Sequence, residues 1–207
     1  MSELINKISP ITIERVMKEK GYSYYTKGNF NLNIIGIRKN NENKVTNKFD
    51  DLLVVAYKVD GSMCIHYYNI TTEPGSYYMN KKLGNVKGTA ILLPGQYKSC
   101  YAIGKHNGKY KALVQVKPVK VYRDNNKDDI YDMIPEQIDE GCFGINIHKS
   151  NPYIKTKLVN DWSAGCQVFA DPDAFRGFMK LCEEQKKRFG NSFTYTLLDE
   201  KDLDNAR

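Results

Sequence analysis

The sequence predicts a mainly β protein of the α+β class, a single compact domain with one helix near each end. Three observations carry that reading. Short runs rich in Val, Ile, Tyr and Phe fill the middle of the chain. Two junctions between them are Asp60-Gly61 and Asn107-Gly108, dipeptides that suit a two-residue hairpin turn. Helical spacing of apolar residues is confined to two segments, one toward each end.

The elements follow in order. In SPITIERVMKEKG, Ser9 can cap a helix, Pro10 suits its first turn and Gly21 its stop. Ile13, Val16 and Met17 give that helix one apolar face, with Lys20 on the far side. NFNLNIIGIRK alternates as a half-buried strand does. DLLVVAYKV and SMCIHYYNI flank the first hairpin turn. YAIGKH and KYKALVQVKPVKVY flank the second, and GTAILLPGQY between them turns at Pro94-Gly95. GCFGINIH and GCQVFA are short and read as buried strands. A helix then opens with Asp171 as cap and Pro172 as first residue. It carries Phe175, Phe178, Met179 and Cys182 as its buried stripe and stops at Gly190. SFTYTLL closes as a strand. We divide the chain into an N-terminal helical segment, residues 1–28, and a main unit, residues 29–207.

Composition narrows the function. At 207 residues with 41% hydrophobic and 27% charged residues, the chain can bury a substantial core. A net charge of +7 favours acidic partners such as nucleic acid, an anionic membrane face or an anionic wall polymer; a solvated surface with excess Lys explains it equally. No recognition helix, zinc finger or RNA-binding aromatic signature is present, which points away from nucleic acid. The longest apolar runs, LLVVAY and AILL, are strand-sized, so neither membrane insertion nor an ordinary signal peptide is expected. Cys64, Cys100, Cys142, Cys166 and Cys182 are odd in number and scattered, which argues against a disulfide framework and a Cys-based zinc site. The expectation is a protein made in a reducing cytoplasm, with no cofactor.

The stretch GINIHKSNPYIKTKLVNDWSAGCQVF holds the chemistry. A thiol nucleophile needs a base within hydrogen-bond reach and N–H donors for the oxyanion. His148 ends an apolar strand eighteen residues before Cys166, and the polar loop between them can return the chain to the same place. Ser163, Ala164 and Gly165 make a small-residue turn before Cys166. On composition alone, a cysteine entering an apolar strand is more often a core residue than a catalyst.

GINIH followed by SAGCQV resembles the active-site signature of the L,D-transpeptidase catalytic-domain (YkuD-like) family, in a divergent, phage-type form. In that pattern an apolar strand ends in His, and a variable loop leads to Ser/Thr-His-Gly-Cys. TTEPGSYY and LLPGQYKS each loosely resemble the family's Thr-Pro-x-Gly-x-Phe/Tyr turn. The resemblance implies a β-sandwich in which Cys166 attacks an amide carbonyl of a peptidoglycan stem peptide and His148 is the base. It further implies that Gly165 and Cys166 supply oxyanion amides, Ser163 shapes the turn, and the Lys149 carbonyl orients the imidazole. The thiol is then expected to carry a depressed pKa. The sequence departs from the family in two places: Ala164 stands where the second His belongs, and Gln167 and Val168 stand where an Arg or Asn is usual.

His106 at the GKHNGKY hairpin tip is either an exposed turn residue or a spatial replacement for the missing His. His66, mid-strand, reads as structural. Trp162, with Tyr77 and Tyr78, is either a substrate-binding wall or packing. Asp124, Asn126, Asp128 and Asp132 occupy positions one, three, five and nine of a calcium-loop pattern. Asp129 at position six and Pro135 at twelve break it, and a solvated turn is the simpler reading. Three functions follow. The first is a cysteine-dependent peptidoglycan amide hydrolase or transpeptidase-like enzyme, most readily a phage endolysin or virion-associated protein acting at the wall. The second is a wall-binding or virion structural module of the same fold with a decayed site. The third is a cysteine hydrolase of another peptide or amide.

Overall fold

The computed structural model describes residues 2–80 and 87–204. Its strands are β1 (Asn33–Arg38), β2 (Asp51–Val59), β3 (Ser62–Thr71), β4 (Thr89–Leu92), β5 (Gly95–His106), β6 (Tyr110–Gln115), β7 (Val119–Asp124), β8 (Asp139–Gly141), β9 (Ile147–Lys149), β10 (Gln167–Phe169) and β11 (Phe193–Asp199). The helices among the described residues are α1 (Ser2–Asn6), α2 (Pro10–Glu19), α3 (Ser76–Asn80), α4 (Pro172–Phe189) and α5 (Lys201–Asp204).

Eight strands close into a barrel in the order β1-β11-β5-β6-β9-β10-β3-β2, and β4-β7-β8 form a separate three-stranded sheet. This mainly β, α+β architecture agrees with the expectation at the level of class, but the sheet is a closed barrel and not a β-sandwich. The reason lies in strands from opposite ends of the chain. β1 and β11 pair in parallel, Ile34 opposite Tyr195 through Arg38 opposite Asp199, and β1 also pairs with β2. That double pairing leaves the large sheet no free edge.

Local chemistry explains the elements. Asp60 and Gly61 have φ of 48° and 84° and join Val59 to Ser62 as the expected two-residue turn. Asn107 and Gly108 are also left-handed, φ 49° and 71°, but His106 pairs with Tyr110, so the second connection has three residues and not two. Ser9 Oγ accepts from the Thr12 amide at 3.1 Å and starts α2. Asp171 Oδ1 accepts from the Asp173 amide at 2.8 Å and starts α4, which ends at Gly190 with φ 85°. Pro118 interrupts KYKALVQVKPVKVY, and two strands, β6 and β7, replace the single run.

The main core gathers inward residues such as Leu53, Val55, Ile147, Phe169 and Tyr195 with the α4 stripe Phe175, Phe178 and Cys182. A second cluster lies on the outer face of β1 and β2, where Ile13, Val16 and Met17 of α2 cover Ile35, Ile37, Leu52 and Val54. Every residue of β1 is therefore buried, and the half-buried alternation expected there does not hold. The N-terminal helix packs on the barrel. None of the helices among the described residues is long and apolar enough to cross a membrane.

Candidate active site

β9 and β10 run parallel and side by side, Gln167 opposite Ile147 and Val168 opposite His148. Strand alternation then sorts the side chains. Ile147 and Phe169 belong to the barrel core. His148, Val168 and Cys166 fall on the opposite face, where Cys166 packs beside Val168. There His148 and Cys166 line one cleft of about 680 Å³, together with His106, Tyr110, Ala164 and Trp162.

The turn before Cys166 is held from several sides. Ser163 is fully buried; its Oγ accepts from the Gly165 amide at 3.1 Å and donates to the Cys166 carbonyl at 2.8 Å. Its carbonyl accepts from the Gly75 amide at 2.9 Å, so the TTEPGSYY turn braces the loop. Gly165 has φ 115°, and a Cβ there would lie 2.2 Å from the Ala90 carbonyl oxygen; only glycine fits. Inside the barrel, Gln167 Nε2 donates to the Gly165 carbonyl at 3.3 Å and Gln167 Oε1 accepts from the Tyr195 hydroxyl at 2.7 Å. The Gly165 amide is thus engaged by Ser163 and is not open to an oxyanion. The Cys166 amide makes no hydrogen bond among the described residues.

His148 is buried, 4% exposed, and its tautomer follows from its partners. Nδ1 lies 2.7 Å from the Lys149 carbonyl and therefore carries the proton. The Tyr110 hydroxyl donates to the same carbonyl at 3.2 Å and lies 3.3 Å from Nδ1. Nε2 is left unprotonated, the state a general base requires. Burial, with the neighbouring His106 ring, pushes the imidazole pKa down to about 3, partly offset by the Lys149 carbonyl.

His106 is not an exposed turn residue. It is half-buried, and its ring stacks on His148 with centroids 3.9 Å apart and planes 20° from parallel. Asn146 fixes it. The Gln115 amide donates to Asn146 Oδ1 at 2.9 Å, so Asn146 Nδ2 faces His106 Nδ1, 3.1 Å away, and donates to it. The His106 proton consequently sits on Nε2, which lies 3.1 Å from the Asn107 side-chain amide nitrogen, and Asn107 must turn its amide oxygen to that side to accept it. Burial first, then Lys109, lowers its pKa, and two stacked imidazoles are favoured neutral.

The expected depressed thiol pKa is reversed. Cys166 Sγ accepts from the Asn146 amide at 3.4 Å and donates to the Gly144 carbonyl at 3.3 Å. Cys166 is half-buried where it lines the cleft, and desolvation by the surrounding protein pushes the thiol up to about 11, against a smaller opposing effect of the Asn146 N–H. Both members of the pair are therefore neutral at pH 7, and the thiol proton faces Gly144. No hydrogen bond joins His148 to Cys166 among the described residues.

The remaining candidates are placed as follows. Trp162 is half-buried, lines the cleft and packs against the cluster of Phe49, Val159, Val168 and Ala170, as the packing role expects. Tyr78 also lines the cleft, with Tyr77 edge-on to it at 5.1 Å. His66 lies between Tyr57 and Tyr68 in an aromatic stack and stands outside the cleft. In the Asp124–Asp132 loop, Asp124 Oδ2 accepts from the Asp132 amide at 2.8 Å and Asp128 Oδ1 from the Ile130 amide at 2.9 Å. Those carboxylates hold the turn, and the described residues contain no cluster of three or more potential metal ligands. All five cysteines are free thiols.

Two residues of the site had escaped notice, Tyr110 and Asn146. The Asn146 signal is present in the sequence, two positions before His148 on a strand-like run, but the Tyr110 signal is not: a two-residue turn at Asn107-Gly108 would set Lys109 opposite His106, whereas His106 pairs with Tyr110 across three residues. Comparison with family models, with curated proteins and with solved structures found no match.

Proposed function

We propose that the protein is a cysteine-nucleophile acyl-transfer enzyme acting on peptidoglycan amide bonds, a phage-type wall-degrading hydrolase or transpeptidase-like protein. The observation that supports this most is the His148 tautomer: Nδ1–H tied to the Lys149 carbonyl, Nε2 unprotonated, and the ring in one cleft with Cys166. Because both groups rest neutral, the thiolate forms during attack. Sγ bonds to the amide carbonyl carbon as its proton passes to His148 Nε2. The tetrahedral oxyanion faces the uncommitted Cys166 amide. As the C–N bond breaks, the imidazolium returns the proton to the departing amine and leaves a thioester on Cys166. Water or an acceptor amine then attacks the thioester and releases the thiol. The wall assignment rests on the motif resemblance and on the +7 charge, which suits an anionic polymer.

A second reading draws on the unactivated thiol and the engaged Gly165 amide: a wall-binding or virion module with a dormant site. Digestion of purified sacculi, with new termini identified by mass spectrometry, separates the two. The enzyme reading expects new amine and carboxyl termini from wild type, none from Cys166→Ala, and at least a hundredfold slower release from His148→Gln, in line with loss of a general base. Wall binding without new termini, retained in Cys166→Ala, would establish the module instead. Cleavage of other peptides with intact sacculi would point to a cysteine hydrolase of different substrate.

A further inference from the structure

A second cavity of about 570 Å³ runs along α4 and shares two residues with the cleft, Tyr110 and Lys149. Tyr110 is the wall between them. On the cleft side its hydroxyl lies 3.3 Å from His148 Nδ1; on the other its ring meets Phe175 edge-on, centroids 6.3 Å apart. The groove therefore begins one side chain from the candidate base.

Its floor is apolar: Tyr110, Phe175, Met179 and the stems of the surrounding long side chains. Its rim is cationic, and the charges are unevenly matched. Glu183 holds Lys111 at 2.8 Å, Glu184 holds Lys187 at 2.6 Å, and Asp173 holds Arg176. Lys149 and Lys180 have no carboxylate partner among the described residues; Lys149 Nζ sits 4.8 Å from the Tyr110 ring centroid. Two uncompensated ammonium groups beside an apolar trough match one kind of ligand, an anion carried on an apolar group.

We infer that this groove binds the part of the substrate beyond the reacting amide, and that this part bears a carboxylate or phosphate next to an apolar moiety. The inference rests on the enzyme reading for its link to Cys166, but the groove's own chemistry does not depend on it. Binding is therefore tested without turnover. Backbone-amide NMR of the full chain is followed during titration with 4-phenylbutyrate and, separately, 4-phenylbutylamine, which share an apolar part and differ in charge. The anion is expected to bind with Kd of about 1–10 mM, as a single fragment does, and to shift Tyr110, Lys149 and the Met179–Glu183 turn. The amine should leave these amides in place. Lys180→Glu, an exposed change on a helix, should weaken the anion about fivefold or more. Equal binding of anion and amine, indifference to Lys180→Glu, or shifts confined to other surfaces would overturn the assignment. Cys166→Ala should bind the anion as wild type does, so an inert thiol and a failed groove give different results. With wall fragments that turn over, Lys180→Glu should raise KM and leave kcat; a fall in kcat at constant KM would contradict the placement of substrate there.

Discussion

Neutrality marks the candidate reacting pair, His148 and Cys166, in a cleft that Lys109, Lys149 and Asp161 also line. His148 is pressed to about 3 by burial and by His106, while desolvation holds the Cys166 thiol near 11. The first shift has a thermodynamic consequence. In the unfolded chain His148 titrates near 6.5; in the native protein it stays neutral to about pH 3. Below pH 6.5 the unfolded state binds the extra proton, so His148 removes about 1.4 kcal/mol of stability for each pH unit lost in that window. Asp51, raised to about 6 by burial, acts in the opposite sense: its native form takes up a proton first and gains stability as pH falls through 6. The test is therefore a difference. Between pH 7 and 4.5, urea unfolding should show wild type losing about 2–3 kcal/mol more than His148→Gln. His106→Ala should shrink that gap by removing the stacked ring. Equal pH dependence in wild type and His148→Gln would mean the imidazole is hydrated.

At the scale of elements, the site is a parallel β9–β10 pair closed by the Ser163–Cys166 turn. The turn is rigid because Gly165 occupies a left-handed conformation against the Ala90 carbonyl, and Ser163 ties both ends. Gly165→Ala must move backbone, with a cost of at least about 2 kcal/mol, and should displace Cys166. Circular dichroism melting should register the loss; an unchanged Tm would show that the turn relaxes freely. Much of this level was legible in the sequence. Ser9 and Asp171 announced their helices, and Asp60-Gly61 and Asn107-Gly108 announced their hairpins, because caps and tight turns are chosen by neighbouring residues. His148 and Cys166 stand out through the motif resemblance of GINIH and SAGCQV, with their spacing as weaker support. The stacking of His106 was not legible, since it depends on how far β5 and β6 reach across β9, a matter of tertiary register.

Across the whole molecule, closure of the barrel was the feature least visible in the sequence. β1 and β11 lie at opposite ends of the chain, and no local signal records that they pair. Their junction carries a buried charge cluster. Arg38, 3% exposed, donates from Nη2 to the Thr72 carbonyl at 3.1 Å and the Leu92 carbonyl at 3.0 Å, and its Nε lies 3.3 Å from Glu73. Asp51 Oδ2 accepts from the Thr72 amide at 2.7 Å. Thr72 also offers its carbonyl to Gln167 Nε2 at 3.5 Å, which reaches the Gly165 carbonyl in turn, so the cluster abuts the Ser163–Cys166 turn from inside the barrel. Desolvation first, then Asp51, pushes the Glu73 carboxyl well up. Arg38→Met should cost about 3–5 kcal/mol, because it strands Glu73 and two carbonyls, and Arg38→Met with Glu73→Leu should recover part of the loss. Denaturant titration of the two variants decides this; equal stability of wild type and Arg38→Met would show that water replaces the guanidinium.

The central claim is that Cys166 carries an acyl group. Intact-mass spectrometry of the protein, acid-quenched during incubation with soluble wall fragments, examines it most directly. The account predicts an adduct with the mass of the acyl fragment, released by hydroxylamine as a thioester is, mapped to Cys166 and absent from Cys166→Ala. Fragments cleaved with no adduct at any quench time, and at the same rate by Cys166→Ala, would contradict it.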